Sequence, residues 1–309
     1  SIRSSSGTAV VHLSYDMDNV PPRPYDPDKP GTRWTRFVCI SDTHSVIDFP
    51  VPDGDILIHA GDLTTVGRVP DLQKTIQWLS RLPHAAKIVI AGSHDLVLDM
   101  DWYDQYSWKV HGKSLEVCSG VNAVLSTESA LASSSGSSTE VSSSSSFSSS
   151  IPKEWKLFGV PGTPESDPDP GLAFHYAKGT DAEETFARVL PDTEILITHG
   201  PPANILDTSE EGTHVGCEEL WKRVKAIRPR LHVFGHVHEG RGALIHTWGE
   251  EGDDDAEDVQ ENRCGSSETI FVNASSTPAG ALYYEALNDG HSPDVGGYNF
   301  QPIIVDLLD

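Results

Sequence analysis

An aspartate and a histidine, Asp42 and His44, stand two residues apart directly after the apolar run 37–40. Four apolar residues in succession, three of them β-branched or aromatic, predict a buried strand. Layered α/β proteins build their sites at the carboxyl ends of such strands. Carboxylate and imidazole are both metal ligands, and their spacing lets one loop direct both at a single ion. Taken alone, the pair is better explained as a turn followed by a surface histidine.

The same arrangement recurs four more times along the chain. Each recurrence is a short apolar run that ends in a histidine or an aspartate, and a neighbouring glycine permits a tight turn. The residues that follow these runs are Asp62 after 55–59, Ser93, His94 and Asp95 after 87–91, His199 after 194–198, and His236 and His238 after 231–234. Five strands that end in such residues predict one shared metal site.

In this order, the motifs D-x-H, G-D, G-S-H-D, H-G and G-H-x-H resemble those of the calcineurin-like metallophosphoesterase superfamily. The flanking residues 41–45, 58–64, 197–202 and 234–240 are similar to its metallophosphoesterase-domain (MPPED-type) subgroup. The resemblance extends from about residue 37 to residue 307. It implies a layered α/β fold, the calcineurin-like four-layer sandwich, in which a central β-sandwich is flanked by helices on both faces. The motifs are specific for a dinuclear site and not for a substrate.

The resemblance further implies two divalent metal ions that share one carboxylate. The implied ligands are Asp42, His44 and His238 for the first ion, Asp62 between the two, and His199, His236 and Ser93 for the second. Mixed histidine and carboxylate ligands favour Mn, Fe, Zn or Ni over Mg or Ca. His236 is present where some members have glycine, which favours a complete second site. Ser93 replaces the family's asparagine, and its hydroxyl is a poorer donor, so we expect weaker binding of the second ion.

His94 is the candidate general acid, which gives a proton to the leaving oxygen or stabilises its developing charge. Asp95 is expected to orient the imidazole of His94. In the implied mechanism a metal-bridging hydroxide attacks the phosphorus in line. Arg241 and His59 are candidate substrate contacts. A surface arginine and a packed core histidine explain these last two residues equally well.

Composition narrows the range of partners. The formal net charge is −24, with 22 Lys and Arg against 46 Asp and Glu, so we expect neither nucleic acid nor an anionic membrane as a partner. No apolar run has the length of a membrane span, and the four cysteines show no paired spacing. We therefore expect a cytoplasmic protein that acts on a small phosphorylated substrate, with no protein partner evident.

Because the five motifs must converge, the chain of 309 residues is expected to form a single domain at 36–309 after an N-terminal arm at 1–35. A serine-rich stretch at about 126–150 is expected to be a disordered insertion, and an acidic stretch at about 249–262 a second insertion. Apolar spacing predicts helices at 71–82, 180–190 and 216–228.

Three functions are compatible with the sequence. The leading hypothesis is a metal-dependent phosphoesterase that hydrolyses a small phosphate mono- or diester, such as a nucleotide or cyclic nucleotide. The second is a metal-binding protein of the same fold with weak or no turnover, which the serine at position 93 supports. The third is a dinuclear-metal enzyme that acts on a non-phosphate bond, since metals and a general acid do not specify phosphorus.

Overall fold

The structure, a computed structural model, describes residues 1–27, 29–104, 130–131, 153–165, 172–249, 264–278, 295–296 and 300–309. Two six-stranded sheets form its centre. The first contains, in spatial order, β1 (Ile2–Arg3), β2 (Ala9–His12), β14 (Ile303–Leu308), β3 (Trp34–Ile40), β4 (Ile56–His59) and β5 (Ala86–Val89). The second contains β12 (Gly242–Thr247), β13 (Glu268–Asn273), β11 (Leu231–Phe234), β10 (Ile195–Thr198), β7 (Lys156–Val160) and β6 (Ala130–Leu131). A small ribbon pairs β8 (Thr163–Pro164) with β9 (His175–Tyr176).

Helices cover the outer faces of both sheets. α1 (Val69–Arg81) buries Leu72 and Leu79 in an apolar cluster with the outward-facing side chains of β3 and β4. α2 (Thr180–Ala187) and α3 (Glu218–Ile227) pack on the second sheet, where α3 buries Leu220, Val224 and Ile227. Because side chains alternate along a strand, the residues between those facing the helices form the central layer. Its members include Phe37, Cys39, Ile56, Ile58, Ile195, Ile197, Leu231 and Val233. The four-layer sandwich is therefore confirmed.

Strand direction brings the five motifs together. In the first sheet β3, β4 and β5 are parallel, with Phe37 opposite Ile56 and Ile56 opposite Ala86. In the second sheet β7, β10, β11 and β13 are parallel, with Ile195 opposite Leu231. Parallel neighbours end at the same edge of their sheet. The loops that follow these strands therefore collect at one edge of the sandwich.

The first twelve residues belong to the first sheet, and the division of the chain into an arm at 1–35 and a single domain at 36–309 stays a prediction. β2 pairs with β14 through four residue pairs, and β1 pairs with β2, so residues 1–12 extend the first sheet. The physical reason is apolar burial, because Ala9, Val10 and Val11 are each at most 3% exposed.

The two predicted insertions fall largely outside the described residues. Of the serine-rich stretch only Ala130 and Leu131 are described, and they pair with β7. Of the acidic stretch only Gly249 is described. Cys39, Cys217 and Cys264 are free, and Cys118 lies outside the described residues. In the described part of the chain, every helix falls short of the length and apolar character that a membrane span needs.

Candidate metal centre

The first group of candidate ligands joins the loop after β3 to the turn after β11. Asp42 Oδ1 lies 3.5 Å from His238 Nε2, and the Nε2 atoms of His44 and His238 lie 3.5 Å apart. One donor atom from each of the three residues falls within 4.8 Å of the others. Asp42 is fully buried, and its carboxylate accepts the backbone N–H of His236 at 3.1 Å. We call Asp42, His44 and His238 the first cluster.

The second group consists of Asp62, His199 and His236, whose donor atoms also lie within 4.8 Å of one another. His199 Nε2 is 3.2 Å from Asp62 Oδ1, and the rings of His199 and His236 have centroids 5.1 Å apart. Asp62 comes from the loop after β4, whereas both histidines follow strands of the second sheet. We call these three residues the second cluster.

Asp62 connects the two clusters through its two oxygens. Its Oδ1 faces His199, while its Oδ2 lies 3.9 Å from His44 Nε2 in the first cluster. The backbone N–H of His94 donates to Oδ1 at 2.9 Å and fixes the orientation of the carboxylate. One oxygen directed at each cluster is the geometry that a bridging carboxylate requires.

Backbone carbonyls orient several of the imidazoles. His199 Nδ1 donates to the carbonyl of Ala60 at 2.9 Å, and His238 Nδ1 donates to that of Pro278 at 3.2 Å. A carbonyl oxygen can only accept, so Nδ1 carries the proton in each ring. Once Nε2 has lost its proton, as metal binding requires, each ring presents the lone pair of Nε2 to the cluster.

The charges of the site fit divalent cations. Burial lowers the pKa of His44 to about 4 and that of His236 to about 3, so both rings are neutral near pH 7. Burial opposes the ionised forms of Asp42 and Asp62, but the neighbouring histidines hold both pKa values below the ordinary range. Burial likewise opposes a charged His199, yet Asp62 raises the pKa of His199 to about 9. The buried carboxylates therefore favour a positive charge beside them. A metal cation can take the place of the proton on His199.

Four candidate ligands have the left-handed backbone that non-glycine residues rarely adopt. The φ angles are 54° at Asp42, 44° at His44, 54° at Asp62 and 67° at His236. Such conformations cost about 1–3 kcal/mol each and concentrate at functional sites. Hydrogen bonds between the loops hold them, since Asp42 N–H donates to the carbonyl of Gly61 at 2.9 Å.

Two motif glycines allow the close approach of neighbouring loops. A Cβ on Gly235 would lie 2.1 Å from Asp42 Oδ2, and one on Gly92 would lie 2.3 Å from Asp62 Oδ1. A side chain at either position would displace a candidate ligand, so glycine is required there.

Ser93 lies beside two members of the second cluster, but its hydroxyl contacts them only at long distance. Its hydroxyl is 3.5 Å from Asp62 Oδ1 and 3.5 Å from His199 Nε2. The neighbouring His94 is half-buried, and one of its ring nitrogens lies within 4.8 Å of donor atoms of His44 and Asp62. The metal-ligand role of Ser93 and the acid role of His94 stay predictions.

Asp95 does not orient His94. The His94 Nδ1 donates to the carbonyl of Thr65 at 2.6 Å instead. The fully buried Asp95 carboxylate accepts the N–H groups of Leu63, Thr64 and Gly92 at 2.9–3.1 Å, together with the Thr64 hydroxyl. Because the chain turns tightly after Gly92, adjacent side chains point in different directions. The Asp95 carboxylate therefore links its own loop, which carries His94, to the loop that carries Asp62.

The structure gives both candidate substrate contacts a partner within the fold. His59 has no exposed surface, its Nε2 lies 2.9 Å from the Thr43 hydroxyl, and burial lowers its pKa to about 4. Arg241 donates to the carbonyl of Gln301, and burial lowers its pKa to about 10. Contact of either residue with a substrate stays a prediction.

One residue at the site was not among the sequence predictions. Ser275 follows β13, and its hydroxyl donates to Asp42 Oδ2 at 2.9 Å. The available signal was the one used elsewhere, namely polar residues directly after a buried apolar strand. It was missed because serine, unlike histidine or aspartate, is not recognised by type as a metal-site residue.

The sandwich fold and the His/Asp clusters are those expected of a metallophosphoesterase. A sequence profile of the calcineurin-like phosphoesterase family matches residues 35–240. The chain belongs to this family, as the motifs predicted.

Two named proteins are similar to this chain over more than two thirds of its length. Metallophosphoesterase domain-containing protein 1 of Homo sapiens is 37% identical over 235 residues, which cover 73% of this chain and 67% of that protein. A protein of Emericella nidulans named probable rhamnogalacturonate lyase C is 37% identical over 216 residues. That match covers 69% of this chain but only 18% of the relative, so this chain spans a small part of that protein. A crystal structure of phosphopantetheinyl hydrolase from Mycobacterium tuberculosis covers 77% of this chain and 88% of its own, at 16% identity and a TM-score of 0.39, too distant to bear on function.

Proposed function

We propose that this chain is a dinuclear metal-dependent phosphoesterase that hydrolyses a small phosphate mono- or diester, with nucleotides and cyclic nucleotides as the first class to test. The observation that carries the proposal is the position of Asp62, whose two oxygens face different clusters of candidate ligands. A single cation site would not need a carboxylate so placed. The mixed histidine and carboxylate donors favour Mn, Fe, Zn or Ni in both positions.

Two divalent cations bound there would supply positive charge for the phosphoryl oxygens and would acidify a water molecule for in-line attack. The chain's own contribution is to hold the donors. Asp42 and Asp62 provide fixed negative charge, and the histidines provide neutral lone pairs from rings held by backbone carbonyls. Because the loops are already in place, little reorganisation is needed when substrate binds.

His94 is the proposed general acid. Its Nδ1 donates to the carbonyl of Thr65, so Nε2 is the ring nitrogen that would carry the proton given to a leaving group. Transfer of that proton to the leaving oxygen neutralises the alkoxide as the ester bond breaks.

The net charge of −24 makes substrate binding dependent on metal. An anionic phosphate ester is repelled by the protein as a whole, and two of its carboxylates, those of Asp42 and Asp62, are buried at the site itself. Attraction must therefore come from cations in the two clusters. We propose a small-molecule substrate rather than nucleic acid. A reducing, cytoplasmic setting, which the free cysteines favour, stays a prediction.

Metal content and turnover test the proposal together. The protein is loaded with Mn²⁺, its metal is counted, and hydrolysis of p-nitrophenyl phosphate and bis(p-nitrophenyl) phosphate is followed. The expected result is close to two ions per chain and metal-dependent release of nitrophenol from at least one ester. Two bound ions without hydrolysis of either ester would overturn the proposed activity.

One observation favours a second function, a cation-binding protein with weak turnover. The Ser93 hydroxyl is 3.5 Å from its neighbours in the second cluster, and an uncharged hydroxyl is a poor metal donor. Under this alternative the Mn²⁺ titration shows one tight ion and turnover does not rise when more metal is added.

A further inference from the structure

The last residue of β13 and the five residues after it, 273–278, contact the first cluster from the side of the second sheet. Its backbone pairs with the loop that carries Asp42, since Ser276 N–H donates to the carbonyl of Ser41 at 2.9 Å. We propose that this segment, here called the backing segment, is a positioning element that sets the geometry and affinity of the first cation site. The inference rests on the proposed function, because it assumes that Asp42, His44 and His238 bind a cation.

The backing segment holds Asp42 at two points. The Ser275 hydroxyl donates to Asp42 Oδ2 at 2.9 Å, and the Thr277 hydroxyl donates to the carbonyl of Asp42. Asp42 has a φ of 54°, so its backbone needs such support to stay in the left-handed region. With Oδ2 occupied by Ser275, Oδ1 is the oxygen that faces His238. The serine therefore selects the oxygen that is presented to the cluster.

The backing segment also holds the turn that carries His236 and His238. Asn273 Nδ2 donates to the carbonyl of Val237 at 2.8 Å, and the carbonyl of Pro278 accepts His238 Nδ1 at 3.2 Å. The second contact fixes the tautomer that presents His238 Nε2 to the first cluster. Asn273, Ser275 and Thr277 are each fully buried, so these hydrogen bonds do not compete with water.

The hydrogen bonds from the backing segment to ligand side chains are directed at the first cluster, although Asn273 also holds the turn that carries His236 of the second cluster. Of the hydrogen bonds described for the backing segment, those that reach the side chain of a candidate ligand go to Asp42 and His238. The second cluster has other supports, because His199 is held by the carbonyl of Ala60 and Asp62 by the N–H of His94. Loss of either hydroxyl that donates to Asp42 should therefore weaken one cation site and leave the other unchanged.

Ser275→Ala tests the proposal, because it removes the hydroxyl that donates to Asp42 Oδ2; the same hydroxyl lies 2.9 Å from Asn273 Oδ1, within the backing segment. Mn²⁺ is titrated calorimetrically into metal-free parent and variant. Outer contacts of this kind change metal affinity by about 10–100-fold, so we expect the tighter binding step to weaken by that factor. The weaker step should keep its affinity. The readout is metal affinity and does not depend on turnover.

Ser276→Ala is the matched control. Ser276 is the next residue, is 1% exposed, and donates its hydroxyl to the carbonyl of Ala274 at 3.2 Å. The same substitution there should leave both Mn²⁺ steps unchanged. Thr277→Val is a second test variant, which removes the other hydroxyl on Asp42 at nearly constant volume and should weaken the same step. If Ser275→Ala does not fold, the affinity of the tighter Mn²⁺ step in Thr277→Val tests the inference.

The outcomes separate this inference from the proposed function. Parent protein that binds no Mn²⁺ would refute the proposed function and the inference together. Two binding steps in the parent, with the tighter step unchanged in both test variants, would overturn the inference and leave the proposed function standing. Equal weakening of both steps would also overturn it, since that is the result of general structural damage.

Discussion

The two clusters use the same ligand types but are supported differently. In the first, Asp42 receives a side-chain hydroxyl at 2.9 Å and the N–H of His236. In the second, the position next to Asp62 is filled by a serine whose hydroxyl stays 3.5 Å away. Each cluster by itself has one aspartate and two histidines, but Asp62 also faces the first cluster and gives that site a second carboxylate. From this carboxylate and from the residues behind the ligands, we expect the first site to bind more tightly.

Both clusters combine the two sheets. The carboxylates follow strands of the first sheet, whereas His199, His236 and His238 follow strands of the second. Neither sheet alone can form either site. Asp62 faces both clusters, so its substitution should affect both cation sites at once.

Asp62→Asn should have the largest effect. The change keeps the size of the side chain but removes the charge that faces both clusters, so both Mn²⁺ binding steps and metal-dependent hydrolysis should be lost. Elemental analysis after dialysis measures the metal. Two ions retained per chain would contradict the bridging assignment. Asp192→Asn, an exposed carboxylate paired with Lys156, is the control and should retain both ions.

His94→Gln separates a proton donor from a ligand. Removal of a general acid should lower kcat by roughly 10²–10⁴-fold while both ions stay bound. The loss should be smaller for an ester whose leaving group is already acidic, such as p-nitrophenol, than for an alkyl ester. Loss of one ion in this variant would instead make His94 a ligand, as its position near His44 and Asp62 allows.

Ser93→Asn should reduce the difference between the clusters. An amide carbonyl at this position is a neutral oxygen donor of the right kind, so the weaker Mn²⁺ step should tighten on the order of 10–100-fold. Turnover at limiting metal should rise with it. Unchanged metal binding with lost turnover would show that Ser93 serves the substrate rather than the second ion.

Substitution of a buried histidine outside the clusters should give the smallest of these effects, a change in how stability depends on pH. His232 lies on β11 with its Nε2 2.9 Å from the Thr198 hydroxyl, and burial lowers its pKa to about 3. In the unfolded chain the pKa of this histidine is about 6.5, so as the pH falls the unfolded state takes up the proton before the folded state does. Stability is therefore lost as the pH falls from about 6.5 towards 3. In metal-free protein, His232→Gln should make the acid-side fall in Tm shallower; an unchanged slope would contradict this origin.

The sequence predicted most of the residues that the structure brings together because its signals are local. β3 and β4 are buried on both faces, so each contains a continuous apolar run, and the candidate ligands Asp42 and Asp62 stand shortly after such runs. Parallel order then brings the ends together without further information. Helix bounds differed from prediction by a few residues, as at α2, where the helix ends at Ala187 rather than at 190.

The parts that sequence did not predict depend on side-chain direction. Asp95 is adjacent to His94 along the chain, yet its carboxylate accepts backbone N–H groups from a different loop. The contact between Ser275 and Asp42 joins residues 233 positions apart on opposite sheets. Such contacts are set by how two layers pack, and no local pattern of residue types records that packing.

The most direct test of the central claim is a stepwise Mn²⁺ titration in which bound metal and ester hydrolysis are measured on the same samples. The account predicts two binding steps, the first tighter than the second, with hydrolysis appearing as the second ion binds. Full hydrolysis with one ion per chain would contradict the two-cation site, and so would a single binding step that saturates at one ion.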